Sequence, residues 1–92
     1  MVLFSKLFER EGNDGWLKDY IEIVRNPLGL YFNHNLKYTG WRGDVKENYQ
    51  IELDIDDLKS SQEKIDLHLK NELIGDEFKI DLEQIIYEKE RF

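Results

Sequence analysis

At 92 residues, with 40% hydrophobic content, a formal net charge of −7 and no cysteine, the chain has the size of one small domain. A disulfide framework, a thiolate metal site and a cysteine nucleophile are excluded. The negative charge disfavours direct binding to nucleic-acid backbones or anionic membranes and favours a basic partner.

Lys6, Glu9 and Arg10 interrupt the first ten residues before they could form a signal-peptide core, and no stretch approaches the ~18 apolar residues of a membrane span. The expectation is a folded protein of the cytoplasm. Twelve aromatics (2 Trp, 5 Tyr, 5 Phe) supply the apolar bulk that disordered chains lack.

In chain order, Phe4, Leu7 and Phe8 share one helical face, which predicts a short amphipathic N-terminal helix over 2–9, ended by Gly12-Asn13-Asp14-Gly15. In Trp16 to Arg25 the residues Trp16, Leu17, Tyr20, Ile21 and Val24 fit a helical stripe, but Tyr20 to Val24 is rich in strand formers, and Tyr20 to Arg25 reads as a strand. Asn26-Pro27-Leu28-Gly29 is a turn signal, because proline presets the second backbone angle and glycine tolerates positive φ. Leu30-Tyr31-Phe32 and Leu36-Lys37-Tyr38 read as extended segments around Asn33-His34-Asn35, and Thr39 to Asp44, with two glycines, reads as a loop.

The clearest strand begins at Tyr49, where Tyr49, Ile51, Leu53 and Ile55 alternate with Gln50, Glu52 and Asp54. Ile65, Leu67 and Leu69 repeat the alternation and predict another strand. The competing helix over 58–73 uses Leu58, Ile65, Leu69 and Leu73 but leaves Leu67 in solvent. Gly75-Asp76 reads as a turn and Glu77 to Ile80 as a last short strand. Asp81-Leu82-Glu83-Gln84 has the form of a capping box that opens a C-terminal helix with Leu82, Ile85 and Ile86 on its core face. These elements make an α+β domain spanning 1–92, with a mostly antiparallel sheet of about four to five strands, a short N-terminal helix and a C-terminal helix.

No motif in the chain carries recognisable catalysis. The carboxylates of Glu52, Asp54, Asp56 and Asp57 lack the glycine and terminal glutamate of a Ca²⁺ loop, so neither a metal nor a cofactor is expected there. Twenty acids in 92 residues make glycosidase-like pairs inevitable by chance. His34 reads as a polar tip between two asparagines and His68 as a surface residue beside Asp66 and Lys70, with no hydroxyl or thiol spaced for a triad. GxxxxGK[ST] and GxGxxG are both missing. Arg42-Gly43-Asp44 is an adhesion tripeptide of a kind that arises often by chance, and it reads as a turn.

The informative feature is the uneven charge. Residues 44–92 hold fifteen acids against seven basic residues, whereas residues 1–43 hold five against six. The candidate partner-binding residues are therefore Glu52, Asp54, Asp56 and Asp57 for steering and pairing, with Trp41 and Tyr38 as aromatic contacts, since Trp and Tyr dominate interface energetics. A small, acidic, cysteine-free chain without catalytic residues has the profile of a bacterial toxin-immunity inhibitor, whose expected partner is a basic protein such as a nuclease toxin. The alternatives are a phage-type DNA mimic acting against defence systems and a non-catalytic structural or adaptor subunit, including a homodimer formed through a sheet edge.

Overall fold

The computed structural model describes residues 1–12, 14–41, 43–72 and 79–90. Four strands, β1 (Val2–Gly12), β2 (Gly15–Asn26), β3 (Gly29–Gly40) and β4 (Gly43–Leu53), are followed by two helices, α1 (Leu58–Asn71) and α2 (Leu82–Glu90). The sheet is an antiparallel meander in the order β1-β2-β3-β4. Its strands pair Gly12 with Gly15, Asn26 with Gly29 and Gly40 with Gly43, so each connection is a tight hairpin.

The glycines at these corners answer specific needs. A Cβ on Gly15 would collide with the Thr39 carbonyl oxygen, so only glycine lets β2 approach β3 at that corner. Gly43 has φ +118°, a conformation that side chains other than glycine's disfavour. In the middle hairpin the Asn26 side chain accepts hydrogen bonds from the Leu28 and Gly29 amides at 2.8 and 3.1 Å, closing an Asx-type turn around Pro27.

Both helices pack on one face of the sheet. Ile21 and Ile23 from β2, Leu30 and Phe32 from β3 and Leu53 from β4 meet Ile65 and Leu69 of α1 and Leu82 and Ile86 of α2 in one buried cluster. Phe32 is fully buried, so truncating it to alanine would cost about 3–5 kcal/mol. Polar side chains fasten the helices. Ser61 of α1 accepts from the Asp54 amide (2.8 Å) and donates to the Asp54 carbonyl (3.1 Å), locking the end of β4 to the helix. Gln62 donates to the Ile80 carbonyl (2.6 Å) and accepts from the Leu82 amide (2.9 Å), holding the start of α2 against α1.

The α+β composition agrees with the sequence reading, with four strands in the sheet, but Leu30–Phe32 and Leu36–Tyr38 are parts of one strand that runs through Asn33–Asn35, the loop expected over 39–44 is strand up to Gly40 and again from Gly43, and two expected elements change type. The expected N-terminal helix is strand β1: Phe4 and Phe8 point inward at strand spacing while Leu7 faces solvent. Gly12 to Gly15 is a hairpin corner, and the backbone of residues 2–12 pairs with β2 along its length. Intrahelical bonds over so short a segment would be marginal by comparison.

The expected strand at 65–70 is part of α1. Leu58, Ile65 and Leu69 face the core, Asp57 caps the helix through a bond from the Ser60 amide (3.1 Å), and Leu67 is left exposed. The alternation of Ile65, Leu67 and Leu69 is thus a coincidence within a helical period. The helix α2 begins as expected, with the Asp81 carboxylate accepting from the Gln84 amide at 3.1 Å. The turn at 75–76 lies outside the described residues, as do residues 77 and 78 of the strand expected over 77–80; Lys79 and Ile80 are irregular.

Candidate partner-binding surface

The acidic residues singled out in the sequence converge at one end of the molecule. Glu52 lies near the end of β4, and Asp54, Asp56 and Asp57 form the turn into α1. This turn faces the β2–β3 hairpin across a groove of about 530 Å³ lined by Arg25 to Leu30, Glu52 to Ile55 and Lys64. The apolar part of that end is exposed: Leu28 is 86% accessible, and Ile55 also reaches solvent.

Internal bonds hold the turn in shape. The Asp54 carboxylate accepts from the Asp56 amide at 2.9 Å and the Asp57 carboxylate from the Ser60 amide at 3.1 Å. A carboxylate has about four acceptor sites, so each keeps capacity for an external donor. Among the described residues, none of Glu52, Asp54, Asp56 and Asp57 forms an ion pair. Exposed carboxylates beside exposed aliphatic side chains can receive a lysine or arginine through both its charged head and its stem.

Trp41 and Tyr38 are elsewhere. Trp41 is almost wholly exposed at the tip of the β3–β4 hairpin, and its amide donates to the Asp14 carbonyl of the neighbouring hairpin at 3.4 Å. Tyr38 is half-buried on the inner sheet face near the same end. The 11 residues of β4 separate this end from the acidic turn, a span of about 35 Å at strand rise. The structure therefore brings the four carboxylates together and leaves the two aromatics at the opposite end of a molecule 45 Å long.

A second constellation escaped the sequence reading. Asp19 on β2 and His34 on β3 are both fully buried. His34 Nε2 donates to Asp19 Oδ1 at 2.8 Å, and His34 Nδ1 lies 2.8 Å from His68 Nε2 on α1. Arg10 of β1 donates to Asp19 Oδ2 from Nη2 (2.9 Å) and Nε (3.2 Å). Tyr49 of β4 stacks on His34 and meets His68 edge-on at 4.9 Å between ring centres. Neither histidine occupies the surface position expected of it: His34 is an interior link and His68 is one of the points where α1 meets the sheet.

The charges of this network follow from its surroundings. Burial works against ionisation of Asp19, but the hydrogen bond from His34 and the nearby Arg10 guanidinium outweigh it and hold the carboxyl below its ordinary value. Burial, aided by the proximity of His34, lowers the affinity of His68 for a proton, and Glu72 opposes this only in part. The Tyr49 hydroxyl donates to Glu47 at 2.5 Å, and that bond, with some burial and the Glu72 charge, pushes its pKa up to about 12.

One proton serves the His34–His68 contact; with both rings doubly protonated, N–H would face N–H. The arrangement can orient side chains and bind α1 to the sheet. A signal for it was present: Asp19 and His34 fall in phase with Ile21, Ile23, Leu30 and Phe32 on the inner face, so polar residues occupy core positions of the alternation. Among the described residues no cluster of three histidine or acidic side chains is arranged to hold a metal ion, and no helix is long and apolar enough to cross a membrane. Comparison with protein-family models, with curated proteins and with solved structures finds no match for this chain.

Proposed function

We propose that the chain is an acidic interaction protein that binds and neutralises a basic protein partner, in the manner of a bacterial toxin-immunity inhibitor of nucleases, and acts without catalysis of its own. The observation that carries this reading is the groove beside the Asn26–Gly29 hairpin, where Glu52 and Asp54, without an ion pair among the described residues, stand beside exposed Leu28 and Ile55 and lead into Asp56 and Asp57 of the adjoining turn. A basic loop of the partner would place its cations on Glu52, Asp54, Asp56 and Asp57 and its aliphatic stems on the two apolar side chains. Tyr38 and Trp41 lie too far away to share that contact. The overall charge of −7 would speed encounter with a cationic surface at low salt.

The test is affinity capture of the tagged protein's partner from native lysate at low and moderate salt, followed by a nuclease assay and association kinetics. Glu52 and Asp56 are the residues to reverse, because their side chains make no hydrogen bond among the described residues. The expected result is one basic partner, inhibited on binding, whose association slows about tenfold in the Glu52→Lys/Asp56→Lys variant at low salt. Unchanged kinetics in that variant would remove the acidic end from the contact.

A further inference from the structure

The outer face of the sheet, which neither helix covers, carries a feature that the fold does not require. Register places Lys18 of β2 directly opposite Lys37 of β3, and Lys37 directly opposite Lys46 of β4. All three are exposed, so three ammonium groups stand in one row across adjacent strands, with neighbouring Cβ atoms about 5 Å apart. Like charges directly opposed in this way destabilise a sheet. Only Lys18 is paired, with Glu9 at 3.7 Å; Lys37 and Lys46 make no ion pair among the described residues.

A lysine on an edge strand protects against unwanted pairing, which accounts for Lys46 on β4. It does not account for Lys18 and Lys37, which sit on the two interior strands. The row is flanked by apolar side chains: Trp16 and Tyr20 lie on either side of Lys18 along β2, and Leu7 is paired with Tyr20. Leu7 and Trp16 are each 55% exposed, on a face where water would otherwise be expected to meet polar groups. Cationic and apolar groups thus form one surface in a chain that is acidic overall.

We propose that this face docks a short acidic peptide segment of a partner protein, with carboxylates on Lys18, Lys37 and Lys46 and apolar side chains on Leu7, Trp16 and Tyr20. The limited extent of the positive patch favours a short segment over a nucleic acid. Glu9 stands in the row itself, opposite Lys18, Glu11 and Asp44 border it, and the chain carries −7, so a polyanion continuing past the three lysines would meet repulsion. This surface is distinct from the acidic groove, and its occupant is of opposite charge.

The experiment is fluorescence anisotropy at low ionic strength with a labelled synthetic peptide alternating glutamate and leucine. A single-stranded oligonucleotide of matching length and a peptide alternating glutamine and leucine serve as the other probes. The glutamate peptide should bind more tightly than either. Lys37→Glu should weaken its binding about tenfold or more, and added salt should reduce it, whereas Asp56→Lys, on the acidic turn, should not weaken it.

Misfolding of the variant is controlled by a second readout. Lys37→Glu converts two repulsive pairs into attractive ones and should raise Tm by about 4–8 °C while binding is lost. Undiminished binding by Lys37→Glu, a lower Tm in that variant, no binding of the glutamate peptide, or tighter binding of the oligonucleotide would each overturn the proposal.

Discussion

Replacing Asp19 with alanine removes the one carboxylate on which the buried network converges. Asp19 accepts three hydrogen bonds, from His34 Nε2 at 2.8 Å and from Arg10 Nη2 and Nε at 2.9 and 3.2 Å. Breaking a buried charge pair by removing one partner costs about 3–5 kcal/mol, because the other is left uncompensated. Arg10 is 35% exposed and can turn toward water, whereas His34 is fully buried and cannot. The lower end applies, about 3 kcal/mol.

Against a total stability of about 5–15 kcal/mol that is a large fraction, and for a chain of this size it corresponds to a fall in Tm of about 12–24 °C. Urea unfolding followed by far-ultraviolet circular dichroism measures it, with an unchanged m-value showing that the denatured state is not the cause. Asp19→Asn keeps the volume but loses the charge and one acceptor, so it should cost about half as much. A loss below about 1 kcal/mol for Asp19→Ala would refute the reasoning and make the network a bystander in an otherwise apolar core.

The same network predicts acid sensitivity in two stages. The proton affinity of His68 is lower in the folded protein than the unfolded value of 6.5, so its contribution is complete above that pH and declines as the pH falls below it. Asp19, held below 3.8, adds a second loss only below that value. Denaturant titrations from pH 8 to 3 should show the first decline in the wild type and a weaker one in His68→Gln; a flat profile from 7 to 5 would contradict this. Gln62→Ala should cost about 1–3 kcal/mol by freeing the Ile80 carbonyl and the Leu82 amide, with faster amide exchange at the start of α2 as its signature. Gly15→Ala should destabilise by more than a surface substitution of about 0.5 kcal/mol, because its Cβ would collide with the Thr39 carbonyl; an unchanged Tm would show that this corner relaxes without cost.

Much of the fold was legible where local signals agree with tertiary packing. The alternation of Tyr49, Ile51 and Leu53 matched the second half of β4, though Ile55 falls in the turn that follows, the Asn-Pro turn matched the middle hairpin, and the capping aspartate announced α2. It was illegible where two periods fit the same residues. Phe4, Leu7 and Phe8 satisfy a helical stripe, yet the backbone pairing offered by β2 decides the outcome, a long-range fact outside residues 2–12. The reverse happened at Ile65 to Leu69, where the spacing fits a strand but Ser61 and Asp57 anchor a helix.

For the surfaces, the clustering of Glu52 with the aspartates of 54–57 could be read from adjacency alone. The distance to Trp41 could not, because it depends on β4 running straight between them. The pairing of Asp19 with His34 and the row of Lys18, Lys37 and Lys46 emerge only from strand register, which composition does not specify. Only the in-phase position of Asp19 and His34 among core residues hinted at their burial.

The central claim, that the acidic end between the β2–β3 hairpin and the turn into α1 receives a basic partner, is tested most directly by an amide chemical-shift titration. The probe is a short peptide alternating arginine and leucine, added at low salt. The account predicts shifts concentrated at Leu28, Gly29, Glu52, Asp54, Ile55 and Asp56, lost in the Glu52→Lys/Asp56→Lys variant. Shifts spread evenly over unrelated exposed carboxylates such as Glu63, Glu83 and Glu88, or gathered around Trp41 at the opposite end, would contradict it.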